Sequence, residues 1–270
     1  MNGHHASLHG WALILGASSG FGEATSLALA RRGLHIFGVH MDRKATLANV
    51  ERIVSEVRGL GREAVFFNVN AADAEKRQEV LDQMSRLLAD RGEPGAVTVL
   101  LHSLAFGALR PYVADDPKDA ISQSQIEMTL DVMANSLVYW TQDLVRRGLM
   151  AAGGKIFAMT SSGGNHVWPT YGAVSAAKAA LEAHVRQLSY ELAPHRITAN
   201  SIRAGVTNTP ALRKIPGSET MIAGASAKNP YRRLTTPADV AEAIAALCAQ
   251  GTHWITGNVI GVDGGEDLTG

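Results

Sequence analysis

The stretch "WALILGASSGFGEAT" (Trp11–Thr25) passes from an apolar run through a glycine-rich loop into the start of a helical pattern. Gly16, Gly20 and Gly22 follow the spacing G-x-x-x-G-x-G. Glycines at such a place let backbone N–H groups approach a pyrophosphate, and the positive end of the following helix attracts it further. An ordinary glycine-rich turn would show the same letters, but the position after a first strand favours a nucleotide-binding loop.

Outward from this stretch, apolar runs alternate with segments of helical period along the chain. The alternation predicts an α/β fold, a Rossmann fold in which helices cover both faces of one doubly wound parallel sheet of about seven strands. Neither a repeat nor a linker interrupts it, so we expect a single domain over residues 1–270. A long helical segment that ends near Met150 is expected after the fourth strand. The predicted strands are Trp11–Leu15, Leu34–Val39, Glu63–Val69, Ala96–Ser103, Gly154–Ser161, Arg196–Ile202 and Ile255–Gly265.

The composition of the chain bears on which partners it can bind and on its cellular compartment. The 270 residues carry a formal net charge of zero, which gives no support for a nucleic-acid or membrane partner. Cys248 is the only cysteine and cannot form an internal disulfide, so a cytoplasmic location fits best. No apolar run approaches the roughly 20 residues of a membrane-spanning helix, and the first residues lack the features of a signal peptide. His4 and His5 are interpreted as surface residues, so no metal site is predicted.

With a later tyrosine and lysine, Tyr171 and Lys178, the loop "GASSGFG" resembles the short-chain dehydrogenase/reductase family over nearly the whole chain. The resemblance implies a nicotinamide dinucleotide and hydride transfer. "VDGG" (Val262–Gly265) is similar to the family's C-terminal strand, and Asn135 falls where the family has a structural-catalytic asparagine. The cofactor-binding residues that it implies are Gly16, Ser18, Ser19, Gly20, Phe21, Gly22, His40, Arg43, Asn68 and Val69 (both at the adenine), His102, Ser103, Lys178, Gly205, Val206 and Thr209.

The stretch "VHMDRK" (Val39–Lys44) bears on the form of the dinucleotide. NAD-binding folds usually carry an acid at the end of the second strand, where it bonds the ribose 2′-OH. That position here is His40, which cannot repel a 2′-phosphate, and Arg43 and Lys44 follow it. Asp42 has the offset of the NAD rule but lies two residues past the family's acid position, so we interpret it as a turn residue or a helix N-cap. NADP(H) is therefore favoured, and NAD(H) is possible.

The stretch "PTYGAVSAAKAALEAHV" (Pro169–Val185) carries the active-site pair. Ordinary family members have a tyrosine four residues before Lys178, and here that position is Val174, which has no proton to donate. Ser161 stands thirteen residues before Val174, as the family serine does, so the register is secure. Tyr171 lies one turn earlier, and on one helix it would share a face with Lys178 about 10 Å away along the axis. The alternative is a buried aromatic residue and a surface lysine.

The Y-x6-K spacing resembles the enoyl-acyl-carrier-protein reductases, a branch of the family. Two further departures from ordinary members agree with it. "HSLAFG" (His102–Gly107) replaces their N-N-A-G tetrad and resembles the corresponding stretch of enoyl reductases, and Ala204 stands where ordinary members have proline. The longer stretch "SLAFGALRPY" (Ser103–Tyr112) is similar to the type III enoyl reductases. The better-known bacterial type has a second tyrosine ten residues before the first, where this chain has Ser161.

This resemblance implies NADPH-dependent reduction of the carbon–carbon double bond of enoyl thioesters, a step of fatty acid synthesis. Tyr171 would donate to the thioester oxygen, and Lys178 would bind the nicotinamide ribose. The expected catalytic set also includes Asn135 and Ser161, and Ser161 would orient substrate or satisfy local backbone groups.

One alternative function is that of a ketone or hydroxysteroid reductase or dehydrogenase that tolerates the shifted tyrosine. Another is a non-catalytic NADP-binding sensor, which Val174 suggests and the retained Lys178 disfavours.

Residues of about 209–235 occupy the place of the family's substrate-covering segment. Its apolar residues predict either an acyl channel or a helix packed on the core, namely Leu212, Ile215, Met221 and Ile222. Its cations predict either contact with an acidic acyl carrier protein or a solvated face, namely Arg213, Lys214, Lys228, Arg232 and Arg233. The family resemblance also implies a homotetramer, and small residues that permit close helix packing agree with it, namely Ala176, Ala177, Ala179, Ala180 and Ala183.

Overall fold

A computed structural model of the chain describes residues 7–269, so His4 and His5 lie outside the described residues. Its strands are β1 (Trp11–Leu15), β2 (His35–His40), β3 (Ala64–Asn68), β4 (Val97–His102), β5 (Lys155–Ser161), β6 (Thr198–Ala204) and β7 (Val259–Val262). They form one sheet in the order β3-β2-β1-β4-β5-β6-β7, with every neighbouring pair parallel. The predicted α/β sheet is confirmed. β7 is shorter than predicted because Gly257 and Gly264, with φ of +75° and +63°, turn the chain at its two ends.

Helices cover both faces of this sheet, as a doubly wound fold requires. They are α1 (Gly20–Arg31), α2 (Leu47–Gly59), α3 (Ala74–Asp90), α4 (Gln123–Leu130), α5 (Ser136–Arg146), α6 (Gly172–Glu191), α7 (Ser218–Lys228) and α8 (Pro237–Leu247). Buried side chains of α1, α2 and α8 form one core, and those of α3, α5 and α6 form the other. None of the helices within residues 7–269 is long and apolar enough to cross a membrane.

Strand β1 shows why the first apolar run has no polar alternation. Trp11, Leu13 and Leu15 point into the core beneath α3, α5 and α6, whereas Ala12 and Ile14 point into the opposite core. All five are fully buried. A parallel strand covered on both faces must be apolar at every position, and a continuous apolar run meets that requirement.

The long helical segment predicted after β4 is interrupted. Residues 103–121 contain no helix, and α4 starts only at Gln123. A capping box sets this start, because the Ser122 hydroxyl accepts the N–H of Gln125 and the Gln125 side chain accepts the N–H of Ser122. The π-helical turn Asp131–Asn135 then joins α4 to α5. The irregular residues are therefore free to form a wall above the end of β4.

Sheet topology locates the ligand crevice. The chain runs outward from β1 to β3 on one side and from β4 to β7 on the other, so β1 and β4 are neighbours at the switch point. Leu15 pairs with His102 across this boundary. Ligands of such sheets bind outside the carboxyl ends of the strands at the switch point.

Candidate active site

A cavity of about 560 Å³ opens at the carboxyl ends of β4, β5 and β6. Residues 103–107, 159–163 and 204–207 follow or end these strands and form three of its walls. The start of α6 forms another wall, and α7 with the turn before it closes the remaining side. Of the predicted catalytic residues, Tyr171, Lys178 and Ser161 border this one space.

Lys178 is a buried residue of α6, with 6% of its surface exposed. Its Nζ donates a hydrogen bond of 2.7 Å to the carbonyl oxygen of Met159 at the end of β5. Burial lowers the pKa of the amine to about 8, against the opposing charge of Glu182. The alternative of a surface lysine is therefore wrong, and two of the three N–H donors are left for other partners.

Tyr171 lies directly before α6 and not inside it as predicted, because the helix begins at Gly172 after the left-handed residue Thr170 (φ 62°). Burial raises the pKa of the Tyr171 phenol, and the nearby Ser161 hydroxyl opposes this only in part. The phenol is therefore a protonated donor at neutral pH. The Ser161 hydroxyl oxygen is itself buried and has no hydrogen-bond partner among residues 7–269, so it too is free to bond a ligand.

Val174 occupies the position of the ordinary family tyrosine, and its side chain is packed against neighbouring residues there. Its side chain is 5% exposed. A Cβ added at Gly107 would lie 2.9 Å from Val174 Cγ2 and 2.9 Å from Met133 Sδ. Only glycine therefore lets the irregular stretch after β4 approach α6 this closely. Gly107 of "HSLAFG" and Val174 at the tyrosine position therefore lie close together in one packed region.

Asn135 does not border the cavity within the described residues. It ends the π-helical turn, and its Oδ1 lies 3.1 Å from Nε2 of His184 on α6. The described geometry thus does not bring the Asn135 side chain together with Tyr171, Lys178 and Ser161 at the cavity. The extra residue of a π-helical turn changes which side chains face α6, and the sequence period does not show it.

His102 was predicted to contact the cofactor, but its side chain is fully buried beneath the cavity. Its Nε2 donates to the Ser136 hydroxyl at 2.9 Å, because that hydroxyl donates to the carbonyl oxygen of Val132. Burial, with a smaller effect of Lys178, lowers the pKa of the ring to about 3, so His102 is neutral. Its neighbour Ser103 does border the cavity, as predicted.

The glycine-rich loop has the shape that a dinucleotide requires. Gly16 has a φ of +89°, and a Cβ there would lie 2.5 Å from the carbonyl oxygen of Ser103. A Cβ on Gly22 would lie 2.0 Å from the carbonyl oxygen of Gly16. Ser19, the N-cap of α1, makes no side-chain capping bond in the described structure. The helix N-terminus is therefore open to an anion, and these residues fit a pyrophosphate.

The end of β2 differs from the sequence-based interpretation. His40 is buried, with 5% of the residue exposed, and its Nδ1 lies 3.0 Å from Oδ2 of Asp42. Asp42 caps no helix, because the next helical turn is capped by Arg43 without a side-chain bond. Asp42 instead exchanges two backbone hydrogen bonds with the Asn68 side chain, of 2.9 and 3.0 Å. The His40 side chain is therefore the inner of the two and the Asp42 side chain the outer, with 3% and 13% of their surfaces exposed.

The predicted substrate-covering segment lies against the cavity. Leu212, Ile215 and Met221 line it, whereas Ile222 does not. Two of the five cations, Lys214 and Lys228, also line it. The other three bond to protein groups: Arg213 to Asn208, Arg232 to the carbonyl oxygen of Ala227, and Arg233 to Asp239.

Comparison with known proteins identifies the family. The family described as "Enoyl-(Acyl carrier protein) reductase" matches residues 16–266, from the first glycine of the loop to the residue after "VDGG". The chain belongs to the short-chain dehydrogenase/reductase family, in its enoyl-acyl-carrier-protein reductase branch. The predicted resemblance is thus confirmed, and the protein is an oxidoreductase of a pyridine-nucleotide-binding family.

Individual relatives are distant. A 1-cyclohexenylcarbonyl-CoA reductase of Streptomyces collinus is 29% identical over 258 residues, covering 95% of this chain and 86% of that protein. An enoyl-(acyl-carrier-protein) reductase (NADH) of Nostoc sp. is 31% identical over 220 residues, covering 82% and 81%. The crystal structure of enoyl-(acyl-carrier-protein) reductase (NADH) from Aquifex aeolicus VF5 has a TM-score of 0.80 at 25% identity, covering 97% of each chain.

Among the cavity residues of this short-chain reductase that the sequence did not indicate, Trp168 and Glu266 are notable for their polar groups. Trp168 lines the cavity and donates its indole N–H to the carbonyl oxygen of Pro216, 3.1 Å away. Glu266 accepts the N–H of Val206 through Oε1, while its buried Oε2 has no partner within the described chain. Neither residue belongs to a motif. The sequence could have indicated them only because Trp168 lies close to Tyr171 and Glu266 directly follows "VDGG".

Proposed function

We propose that this oxidoreductase reduces the carbon–carbon double bond of enoyl thioesters with a nicotinamide dinucleotide as hydride donor. One observation carries the proposal. The cavity receives its protonated phenol from Tyr171, while Val174 fills the ordinary tyrosine position and packs beside Gly107. The donor therefore stands one helical turn away from where a ketone reductase has it.

The displacement suits the geometry of an enoyl thioester. A bound dinucleotide would supply hydride to C3, and negative charge would develop on the thioester oxygen, whose carbonyl carbon lies two bonds from C3. Protonation at C2 then completes the reduction. Tyr171 donates to this oxygen, and its raised pKa keeps the proton in place while charge develops. The amine of Lys178, held by Met159, has N–H groups left to bind the ribose hydroxyls and fix the ring that carries the hydride.

The cavity walls agree with an acyl substrate. Its volume of about 560 Å³ lies in the range of small-molecule sites, and Trp168, Leu212 and Met221 give it apolar walls. We further propose that an acyl carrier protein can deliver the substrate in fatty acid synthesis, because Lys214 and Lys228 stand at this cavity. A homotetramer and a cytoplasmic location remain predictions.

The sequence favours NADP(H), with NAD(H) possible, because His40 occupies the acid position and Arg43 and Lys44 follow it. His40 is buried, whereas Arg43 and Lys44 are exposed. The relatives from Nostoc sp. and Aquifex aeolicus carry NADH in their names. Comparison of kcat/KM with NADH and with NADPH decides between the two forms.

Oxidation of NADH and NADPH with crotonyl-CoA, longer enoyl thioesters and a panel of ketones tests the proposal. Turnover of enoyl thioesters is expected, and Tyr171→Phe should lower kcat by roughly 10²-fold or more, the effect of losing one oxyanion donor. Tyr190→Phe is the matched control, because Tyr190 is an exposed residue of α6, the helix that Tyr171 directly precedes. Turnover of ketones alone would establish the ketone reductase instead, and cofactor binding without any turnover would establish the sensor.

A further inference from the structure

The turn that carries Tyr171 to the start of α6 contains a strained residue. The N–H of Tyr171 donates to the carbonyl oxygen of Trp168 at 3.1 Å, which closes a four-residue turn over residues 168–171. Pro169 stands second in this turn, and Thr170 stands third with a φ of 62°. A positive φ at the third place is typical of a type II turn, where glycine is usual and a threonine is strained. The turn therefore needs support from outside.

The indole of Trp168 supplies this support. The Thr170 side chain does not, because its Oγ1 is buried and has no hydrogen-bond partner within residues 7–269. The indole N–H of Trp168 donates to the carbonyl oxygen of Pro216, 3.1 Å away. Pro216 lies between the helical turn Leu212–Lys214 and α7, inside the substrate-covering segment. A residue 48 positions further along the chain thus holds the turn in place.

The backbone of the covering segment allows this contact. Gly217, the N-cap of α7, has a φ of 77°, which glycine adopts without strain. A Cβ added there would lie 3.4 Å from Cζ2 of Trp168, so the indole lies close to the backbone at the start of α7. Trp168 borders the cavity together with Leu212 and Met221. The contact therefore joins the cavity wall at α6 to the wall at α7.

The position of the turn decides where the phenol of Tyr171 lies. A Cβ added at Gly163 would lie 2.6 Å from Cε1 of Tyr171 and 3.3 Å from the Ser161 hydroxyl oxygen. The ring therefore fits closely against the backbone that follows β5, and a shift of the turn would move the ring out of this place. A misplacement of about 1 Å in a catalytic group can cost roughly 10²-fold in rate.

We propose that Trp168 is a positioning residue, whose bond to Pro216 holds the phenol of Tyr171 in its donating position while the covering segment lies over the cavity. When this bond is broken, the strained turn relaxes and the phenol leaves its place against Gly163. The covering segment and the oxyanion donor are thereby coupled, so the reaction is confined to a covered cavity. The inference rests on the proposed role of Tyr171 as donor, which an enoyl thioester and a ketone would share.

The pKa of the Tyr171 phenol reports its position without any turnover. Burial raises this pKa in the wild type, and a displaced phenol is better solvated. Trp168→Phe keeps an aromatic ring and removes the N–H, so the pKa of Tyr171 should fall toward its ordinary value of 10. Ultraviolet titration of each protein, after subtraction of its Tyr171→Phe counterpart, isolates this phenol. Trp254→Phe is the matched control at an exposed tryptophan and should leave the pKa unchanged.

Turnover gives a second readout. Trp168→Phe should lower kcat about fivefold, the effect of losing one neutral hydrogen bond. In a Tyr171→Phe background the same substitution should cause no further loss, because Trp168 acts through the phenol. Each kcat is measured with whichever of crotonyl-CoA and the ketones the wild type reduces, so turnover of ketones alone would refute the proposed reaction and leave this inference standing. If neither is reduced, the pKa of Tyr171 decides. An unchanged pKa in folded Trp168→Phe, or additive losses in the double variant, would overturn the inference.

Gly217→Ala disturbs the same contact from the covering segment. Alanine is strained at a φ of 77°, and its Cβ would touch the indole, so the carbonyl of Pro216 should shift away from Trp168. The same fall in the pKa of Tyr171 is expected. Gly153→Ala is the matched control, because Gly153 has a φ of 92° and a Cβ there meets nothing within 4 Å. Thermal unfolding shows which variants are folded. If Trp168→Phe does not fold, an unchanged pKa of Tyr171 in Gly217→Ala would by itself overturn the proposal.

Discussion

The glycine-rich loop before α1 and the start of α6 both adjoin the cavity, but different features fix their shapes. The backbone fixes the shape of the loop, because Gly16 has a left-handed φ and Gly22 has no room for a Cβ. Side-chain contacts fix the shape at the start of α6, where Val174 lies close to Gly107 and Lys178 donates a hydrogen bond to the carbonyl oxygen of Met159. A backbone constraint admits few substitutions, whereas a packed wall can be rebuilt from other side chains. The loop therefore retains the cofactor class of the family, and the wall at α6 is where the reaction can change.

Moving the hydroxyl back to the ordinary position is expected to disrupt the wall at α6 most severely. Val174→Tyr with Tyr171→Val shifts the donor by roughly 4.5 Å along the helix axis. Loss of the oxyanion donor should lower kcat for enoyl thioesters by roughly 10²-fold or more. The new ring enters a place that is 5% exposed, and overpacking there should cost about 1–3 kcal/mol of the free energy of unfolding.

Steady-state kinetics with crotonyl-CoA and a thermal melt measure these two effects. A folded double variant with the kcat of the parent would show that the spacing of tyrosine and lysine does not set the reaction.

Removing the buried charge of the same wall should stabilise the protein. The pKa of Lys178 is about 8 in the folded state, below its ordinary value of 10.5. Below pH 8 the amine is charged in both states, so its burial costs at most about 3 kcal/mol, which Lys178→Met would recover. Between pH 8 and 10.5 the folded state releases its proton first, so the wild type gains stability and the difference from the variant shrinks.

Urea unfolding of both proteins across this pH range is the measurement. Lys118→Met, at an exposed lysine, is the control and should show no such change. A difference between wild type and Lys178→Met that does not vary with pH would refute the buried charge.

The backbone constraint of the loop gives the smallest expected effect. A Cβ on Gly22 would lie 2.0 Å from the Gly16 carbonyl oxygen, so Gly22→Ala should cost about 1–3 kcal/mol of unfolding free energy and weaken cofactor binding. Gly59→Ala is the control, because a Cβ at Gly59 meets nothing within 4 Å. Denaturant titration compares the two variants, and equal stabilities would show that the loop tolerates a side chain after all.

Much of this architecture follows from local sequence. The boundaries of β1 were predicted to the residue, because a strand buried on both faces is apolar throughout and the glycine-rich loop ends it. The register from Ser161 to Lys178 contains no insertion, so the meeting of Tyr171 with Lys178 at the cavity could also be expected.

Side-chain directions at the ends of elements could not be predicted in this way. His40 ends β2 and His102 ends β4, on the two sides of β1, and both residues are buried in the protein. Asn135 turns toward His184 because a π-helical turn, which leaves no mark on hydrophobic period, precedes α5. A hydrogen bond to the Asn68 side chain holds Asp42 in position. Asn68 lies 26 residues away, so this contact cannot be predicted from the local sequence.

The burial of β1 has a consequence for measuring ligand binding. All five of its residues are fully buried, and β2 and β4 pair with its two edges. Amide hydrogens in such a strand exchange with solvent only when the whole protein unfolds. A ligand that binds only the native state at the adjoining loop divides this exchange rate by one plus the ratio of free ligand concentration to Kd. Deuterium uptake by peptides that contain Trp11–Leu15 therefore reports cofactor affinity without any catalytic turnover.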